Sequence, residues 1–210
     1  MSLTDWVTEA AEAVYMVVII NGYVAISQLN TQFLYIVALD IGACLGWGFI
    51  DGFTYAIGNS IDRGKQADLI QEIDSKNSSS KAIDSIVEEL DDTVLSGLSN
   101  EKKRTLAADL VENSAEIPPI QRGFFTKEDW LGLVSIMGTY LSAGFVLSFP
   151  YLVFPNKLDA WFVSNTVGII WLFVYGYKVG NFAGGKRILI GLLTASAGIV
   201  FLFLSYIVYA

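Results

Sequence analysis

The chain has 210 residues, 53% of them hydrophobic and 16% charged, with a formal net charge of −8 and a mean hydropathy of +0.51. This composition excludes an ordinary soluble domain and fits a polytopic membrane protein, while the acidic balance, without a basic run interleaved with aromatics, excludes nucleic acid as a partner. With no histidine and Cys44 as the one cysteine, disulfides, the usual zinc sites, Cys–His nucleophiles and histidine acid–base chemistry are unavailable.

Residues 1 to 9, with Asp5, Trp6 and Glu9, read as a short amphipathic lead-in, and no removable signal peptide is expected. Ala10 to Ile26 is the first expected span and contains Glu12, Met16, Asn21 and Gly22. After a turn over Ser27 to Gln32, the run Phe33 to Ile57 is long enough at about 1.5 Å per residue to cross a bilayer as a helix. It carries Asp40 and Asp51, whose separation is close to three whole turns, so both lie on one face, with Cys44, Trp47 and Thr54 near the same stripe.

Carboxylates within a span are costly and face a bundle interior, a partner or a water-filled path. That face is the first functional candidate: Asp51, Asp40, Asn21, Met16 and Thr54 are read as lining a transport pathway. Asn21 and Asp40 fall at similar depth on neighbouring antiparallel helices, where an amide can face a carboxylate. The competing reading makes the two acids hydrogen-bonded packing groups, Asn21 a backbone partner and Met16 a gap filler. Gly42, Gly46, Gly48 and Gly52 supply small residues along which another helix can approach.

Residues 59 to 127 form the long polar segment. A Ser- and Asn-rich break lies at Lys76 to Ser80. From Ser80 to Leu95, Ile83, Ile86, Val87, Leu90 and Val94 keep helical spacing, with Asp84, Glu88, Asp91 and Asp92 on another face. A turn at Ser96 to Asn100 leads to a further helix that Ser99 or Asn100 can cap and that Pro118 and Pro119 end. Glu72, Asp84, Glu88, Asp92, Asp109, Glu112 and Glu116 are candidate metal ligands, because carboxylates gather divalent cations where helices converge. The plainer reading of these acids is a solvated helix face.

Trp130 to Phe154, Ala160 to Tyr177 and Ile188 to Tyr209 are the third, fourth and fifth expected spans. The fold class is an all-α polytopic membrane protein: five transmembrane helices with a cytoplasmic helical insert between the second and third. Its parts are 1–58 (lead-in and first two spans), 59–127 (the acidic helical domain) and 128–210 (the last three spans). Twelve of the thirteen Lys and Arg residues lie on one side of that arrangement, with Lys157 on the other. The positive-inside tendency then places the N-terminus and residues 59–127 in the cytoplasm, and the C-terminus outside or in a lumen.

The layout of two spans, an acidic helical insert and three spans resembles the vacuolar iron transporter family. The stretches that carry the resemblance are Glu88-Glu89-Leu90, Gly97-Leu98-Ser99-Asn100-Glu101 and Ala107-Ala108-Asp109-Leu110, with Pro150 and the Gly-Gly-Lys-Arg of residues 184–187. The resemblance implies a homodimeric exporter of ferrous iron and similar divalent ions from the cytosol, exchanged against protons, whose insert collects metal. The Asp-Gly pair that the family carries in its first span is here Asn21-Gly22, and Asp51-Gly52-Phe53-Thr54 resembles it from the second span.

The leading expectation is therefore a transporter moving Fe2+ or Mn2+ out of the cytosol, with no permanently bound cofactor. The lipid bilayer, metal ions and a second copy of the chain are its expected partners. The alternative is a non-transporting membrane protein whose acidic helices bind metal or a protein partner. No enzyme is expected, since no nucleophile with a base, phosphate loop or metal-ligand repeat is present.

Overall fold

The structure is a computed structural model that describes residues 3–27, 32–74, 79–113 and 123–209. Those residues are helical with short connections: α1 (Leu3–Ser27), α2 (Phe33–Asp74), α3 (Ser79–Asp91), a 3₁₀ turn (Val94–Gly97), α4 (Asn100–Glu112), α5 (Lys127–Ser148), α6 (Pro150–Val153), α7 (Lys157–Phe182) and α8 (Arg187–Tyr209). Among the described residues four segments are long and apolar enough to cross a membrane: Phe33–Gln71, Lys127–Val153, Lys157–Phe182 and Arg187–Leu204. The protein is thus an all-helical integral membrane protein.

The first expected span is not one of these four. The lead-in and that span form one continuous helix, α1, with Asp5, Glu9 and Glu12 in its first half. Nonetheless α1 packs against α7 and α8 and buries Ala11, Val14, Val18 and Asn21, a spacing that sets one face inward. The second helix runs past its apolar stretch, as α2 continues unbroken to Asp74, just before the Ser- and Asn-rich break expected from Lys76. Nothing in Asn59 to Lys65 breaks a helix; the polar residues change the solvent the helix prefers, not its backbone.

The chain divides into two compact units, residues 1–55 with 130–210, and residues 56–129. In the first, the core joins Val14, Val17 and Val18 of α1, Cys44 of α2, Ile136, Tyr140 and Leu147 of α5, and Leu172 of α7. Lipid offers no hydrophobic drive between helices, so close backbone packing and polar groups hold such a bundle together. Both are present. A Cβ on Gly52 would meet the Leu133 carbonyl oxygen at 2.9 Å, and one on Gly48 would lie 3.1 Å from the Met137 Cα, so these two glycines seat α2 on α5. Gly42 and Gly46, read from sequence as part of the same seam, face open space.

Side chains tie the remaining helices. The Tyr15 hydroxyl of α1 donates to the Thr194 carbonyl of α8 (2.9 Å), and Thr194 Oγ1 donates to the Leu172 carbonyl of α7 (2.8 Å). The α7–α8 turn closes on Gly184, whose φ of +67° lies in the left-handed region that favours glycine. Gly185 N–H then reaches back to the Gly180 carbonyl at 3.0 Å. The third expected span is interrupted: α5 ends at Ser148, and Pro150 opens the short α6.

In the second unit, α3 and α4 pack through Ala82, Ile86 and Ala107, joined by Ile73 of α2. Lys103, 4% exposed, pairs with Asp91. Helix α4 ends at Glu112, capped by Asn113, whose side-chain amide donates to the Asp109 carbonyl (2.8 Å). The prolines expected to end that helix, Pro118 and Pro119, lie outside the described residues. Thr126 and Asp129 cap the start of α5 reciprocally, Asp129 Oδ2 accepting from Thr126 N–H at 2.7 Å and Asp129 N–H donating to Thr126 Oγ1 at 3.4 Å. Arg63 grips the same carboxylate with both terminal nitrogens, at 3.0 and 2.6 Å.

Candidate cation site

Glu9 and Glu12 are three residues apart on α1, so they share a face. That face meets Asp51 of α2, and one carboxylate oxygen from each of Glu9, Glu12 and Asp51 lies within 4.8 Å of the others. Asp51 and Glu9 are partly buried and Glu12 is exposed. Tyr140 of α5, itself 2% exposed, joins the group: its hydroxyl donates to Asp51 Oδ2 and lies 3.4 Å from Glu12 Oε2. Carboxylates this close repel one another unless a proton, a donor or a cation sits among them. Oxygen ligands of this type suit hard or borderline divalent ions.

The group opens into a cleft of about 800 Å³ in the first unit, lined by Glu12, Met16, Trp47, Asp51, Tyr140 and several aliphatic and aromatic side chains. Two of the five pathway residues expected from sequence, Asp51 and Met16, therefore share it. Thr54 is exposed and does not line the cleft.

Asn21 and Asp40 do not line the cleft and do not bond each other. Asn21 Nδ2 donates to Ser164 Oγ (2.9 Å), its Oδ1 accepts from the Tyr151 hydroxyl (2.8 Å), and its carbonyl accepts from Trp161 Nε1 (2.9 Å). Asp40 Oδ2 accepts instead from Ser148 Oγ at 2.9 Å. The expected amide–carboxylate pair is thus replaced by bonds to α5, α6 and α7, helices whose hydroxyls a reading of the α1–α2 hairpin alone does not weigh.

The insert acids do not converge among the described residues, where Glu9, Glu12 and Asp51 are the carboxylates that gather. Asp84 pairs with Arg104 at 2.6 Å, both side chains exposed, and Glu88, Asp92, Asp109 and Glu112 are exposed on α3, α4 and the turn between them. The Glu72 side chain and the whole of Glu116 lie outside the described residues.

Glu9, Glu12 and Tyr140 are the site residues that sequence reasoning missed. In the sequence Glu9 reads as part of a short amphipathic lead-in, and Glu12 as one more polar residue of the first span. Their three-residue spacing on an otherwise apolar helix was the available signal. Tyr140 carried none, since a tyrosine inside a span is ordinarily packing.

Fold and site together define a polytopic helical membrane protein with a three-carboxylate group at an open cleft. A 61-residue stretch, 29% of this chain, is 33% identical to vacuolar iron transporter 1 of Arabidopsis thaliana. That stretch spans 24% of the plant protein's length. No protein-family model matches the chain.

Proposed function

We propose that this protein moves divalent cations, ferrous iron or manganese, out of the cytosol across a membrane, in exchange for protons. The observation that carries this reading is the convergence of Glu9, Glu12 and Asp51 from two helices, with Glu12 and Asp51 lining one open cleft. The partial likeness to a plant vacuolar iron transporter supports it. Helix α1 acts as a fifth span, its carboxylates tolerated because they face the cleft instead of lipid. Residues 59–127 then lie in the cytoplasm with the N-terminus, as the distribution of basic residues favours.

In this mechanism the cation exchanges part of its water for the three carboxylates, with the Met16 thioether alongside, and Tyr140 gives up its hold on Asp51 as the ion enters. Glu72, Asp84, Glu88, Asp92, Asp109, Glu112 and Glu116 raise the local cation concentration by their charge. A second copy of the chain completes the open side of the cleft.

Uptake of Fe2+ and Mn2+ into proteoliposomes holding a pH gradient tests the proposal. Gradient-dependent uptake by the wild type, lost in Asp51→Asn, is the expected result. Metal bound without flux in the folded wild type would favour the non-transporting reading instead.

A further inference from the structure

Asp40 is fully buried on α2 and does not line the cleft that holds Asp51. Its Oδ2 accepts one hydrogen bond, from Ser148 of α5, and its Oδ1 has no hydrogen-bond partner. The donors nearby are already committed. The Tyr151 hydroxyl donates to Asn21, Asn21 Nδ2 donates to Ser164, and Ser164 Oγ donates to the Leu147 carbonyl at 2.7 Å. The titratable groups facing Asp40 are Tyr151 of α6 and Cys44 of α2, and none of the ion pairs among the described residues includes it.

A carboxylate charge held by one hydroxyl in such a place is uncompensated, and uncompensated charge inside a bundle is among the costliest features a membrane protein can carry. A divalent ion does not fit as the remedy. It needs about six oxygen ligands, whereas one carboxyl and one committed hydroxyl stand here, and the fully buried Asp40 does not line the cleft that would admit a hydrated ion. A single proton on Oδ1 removes the charge and needs no further ligand.

We infer that Asp40 is a proton-binding site separate from the acidic cleft and, resting on the transport reading above, that it carries a proton exchanged for the metal. The geometry supplies the coupling element. Asp40 and Asp51 ride on one helix, and each is held from α5, Asp40 by Ser148 and Asp51 by Tyr140. A shift of α5 that frees Asp51 for the metal also moves the one donor of Asp40. Proton release at one end and metal capture at the other are thereby joined through the α2–α5 seam.

Infrared difference spectroscopy of the full chain in lipid tests the proton site without requiring transport. The carbonyl band of a buried protonated carboxyl is expected in the wild type and in Asp51→Asn, and is expected to be lost in Asp40→Asn. Should Asp40→Asn not fold, Ser148→Ala decides, since removing the donor must shift that band. Absence of the band in the wild type, or a band unmoved by either substitution, overturns the assignment. In proteoliposomes, protons counted per Mn2+ should fall at least twofold in Asp40→Asn, and an unchanged ratio overturns the carrier role. A wild type that passes no Mn2+ overturns the transport reading and the carrier role with it, while the spectra decide the proton site on their own.

Discussion

Tyr140 of α5 donates its phenolic proton to the carboxylate of Asp51 on α2, across the face that α1 closes with Glu12. A phenol has one proton to give, so Tyr140 holds Asp51 while Glu12, 3.4 Å from the same oxygen, waits for another partner. Removing that hydroxyl in Tyr140→Phe leaves neighbouring carboxylates without the donor that holds them in place. That bond is broken as the ion enters, and one hydrogen bond is worth about 1 kcal/mol net, so the apparent affinity for Mn2+ should tighten by roughly threefold to tenfold. The concentration dependence of Mn2+ uptake reads this directly, and an unchanged affinity would show that the hydroxyl does not hold Asp51.

The glycine seam separates two kinds of glycine on one helix. Gly52→Val drives a side chain into the Leu133 backbone and should destabilise the bundle by about 1–3 kcal/mol, as overpacking does. Gly46→Ala adds a methyl group to open space and should leave the unfolding midpoint in detergent unchanged or slightly raised, since alanine is the better helix former. Equal effects of the two substitutions would mean that α2 and α5 do not meet along Gly48 and Gly52.

Asp129 is 1% exposed and accepts from Arg63, Asn59 and Thr126. Asp129→Ala removes the reciprocal cap of α5, about 1 kcal/mol by itself, and leaves the Arg63 guanidinium with the Ser60 hydroxyl and the Gly123 carbonyl but no carboxylate. Arg63→Ala leaves Asp129 with its threonine and asparagine donors. Thermal unfolding should therefore fall further for Asp129→Ala than for Arg63→Ala, and the reverse order would contradict this account of the cap.

Two neighbouring cations of the insert should behave differently. Arg104 and Asp84 are both exposed, and an exposed ion pair contributes little, so Arg104→Ala should change stability by less than about 0.5 kcal/mol. Lys103 packs its stem into the α3–α4 interface and is 4% exposed. Its truncation removes packing as well as charge, and the midpoint should drop measurably more.

The helices were legible in the sequence because apolar runs of this length permit little else in a bilayer, and the importance of Asp51 followed from its place inside such a run. What the sequence could not convey was rotation. Whether Asp40 looks into the cleft with Asp51 or into the bundle depends on the contacts of α2 with α5, where Gly48 and Gly52 let the backbones approach and Ser148 and Tyr140 meet the two acids. Glu9 and Glu12 are not legible as site residues for a related reason. Three carboxylates among the first twelve residues make α1 read as a lead-in and a short span, when two of them, Glu9 and Glu12, are what the helix brings to the site. The insert showed its amphipathic spacing plainly, yet its acids share composition with any solvated helix, and composition alone does not say which of them meet.

The most direct test of the central claim is Mn2+ uptake into proteoliposomes by the wild type, Glu12→Gln, Asp51→Asn and the double variant. If carboxylates of α1 and α2 form one site, each single substitution lowers uptake at least tenfold and the double variant is little worse than either, because groups that act as a unit are not additive. Uptake by Glu12→Gln at the wild-type rate would contradict the account, since the cation would then cross without the carboxylate that α1 brings to Asp51.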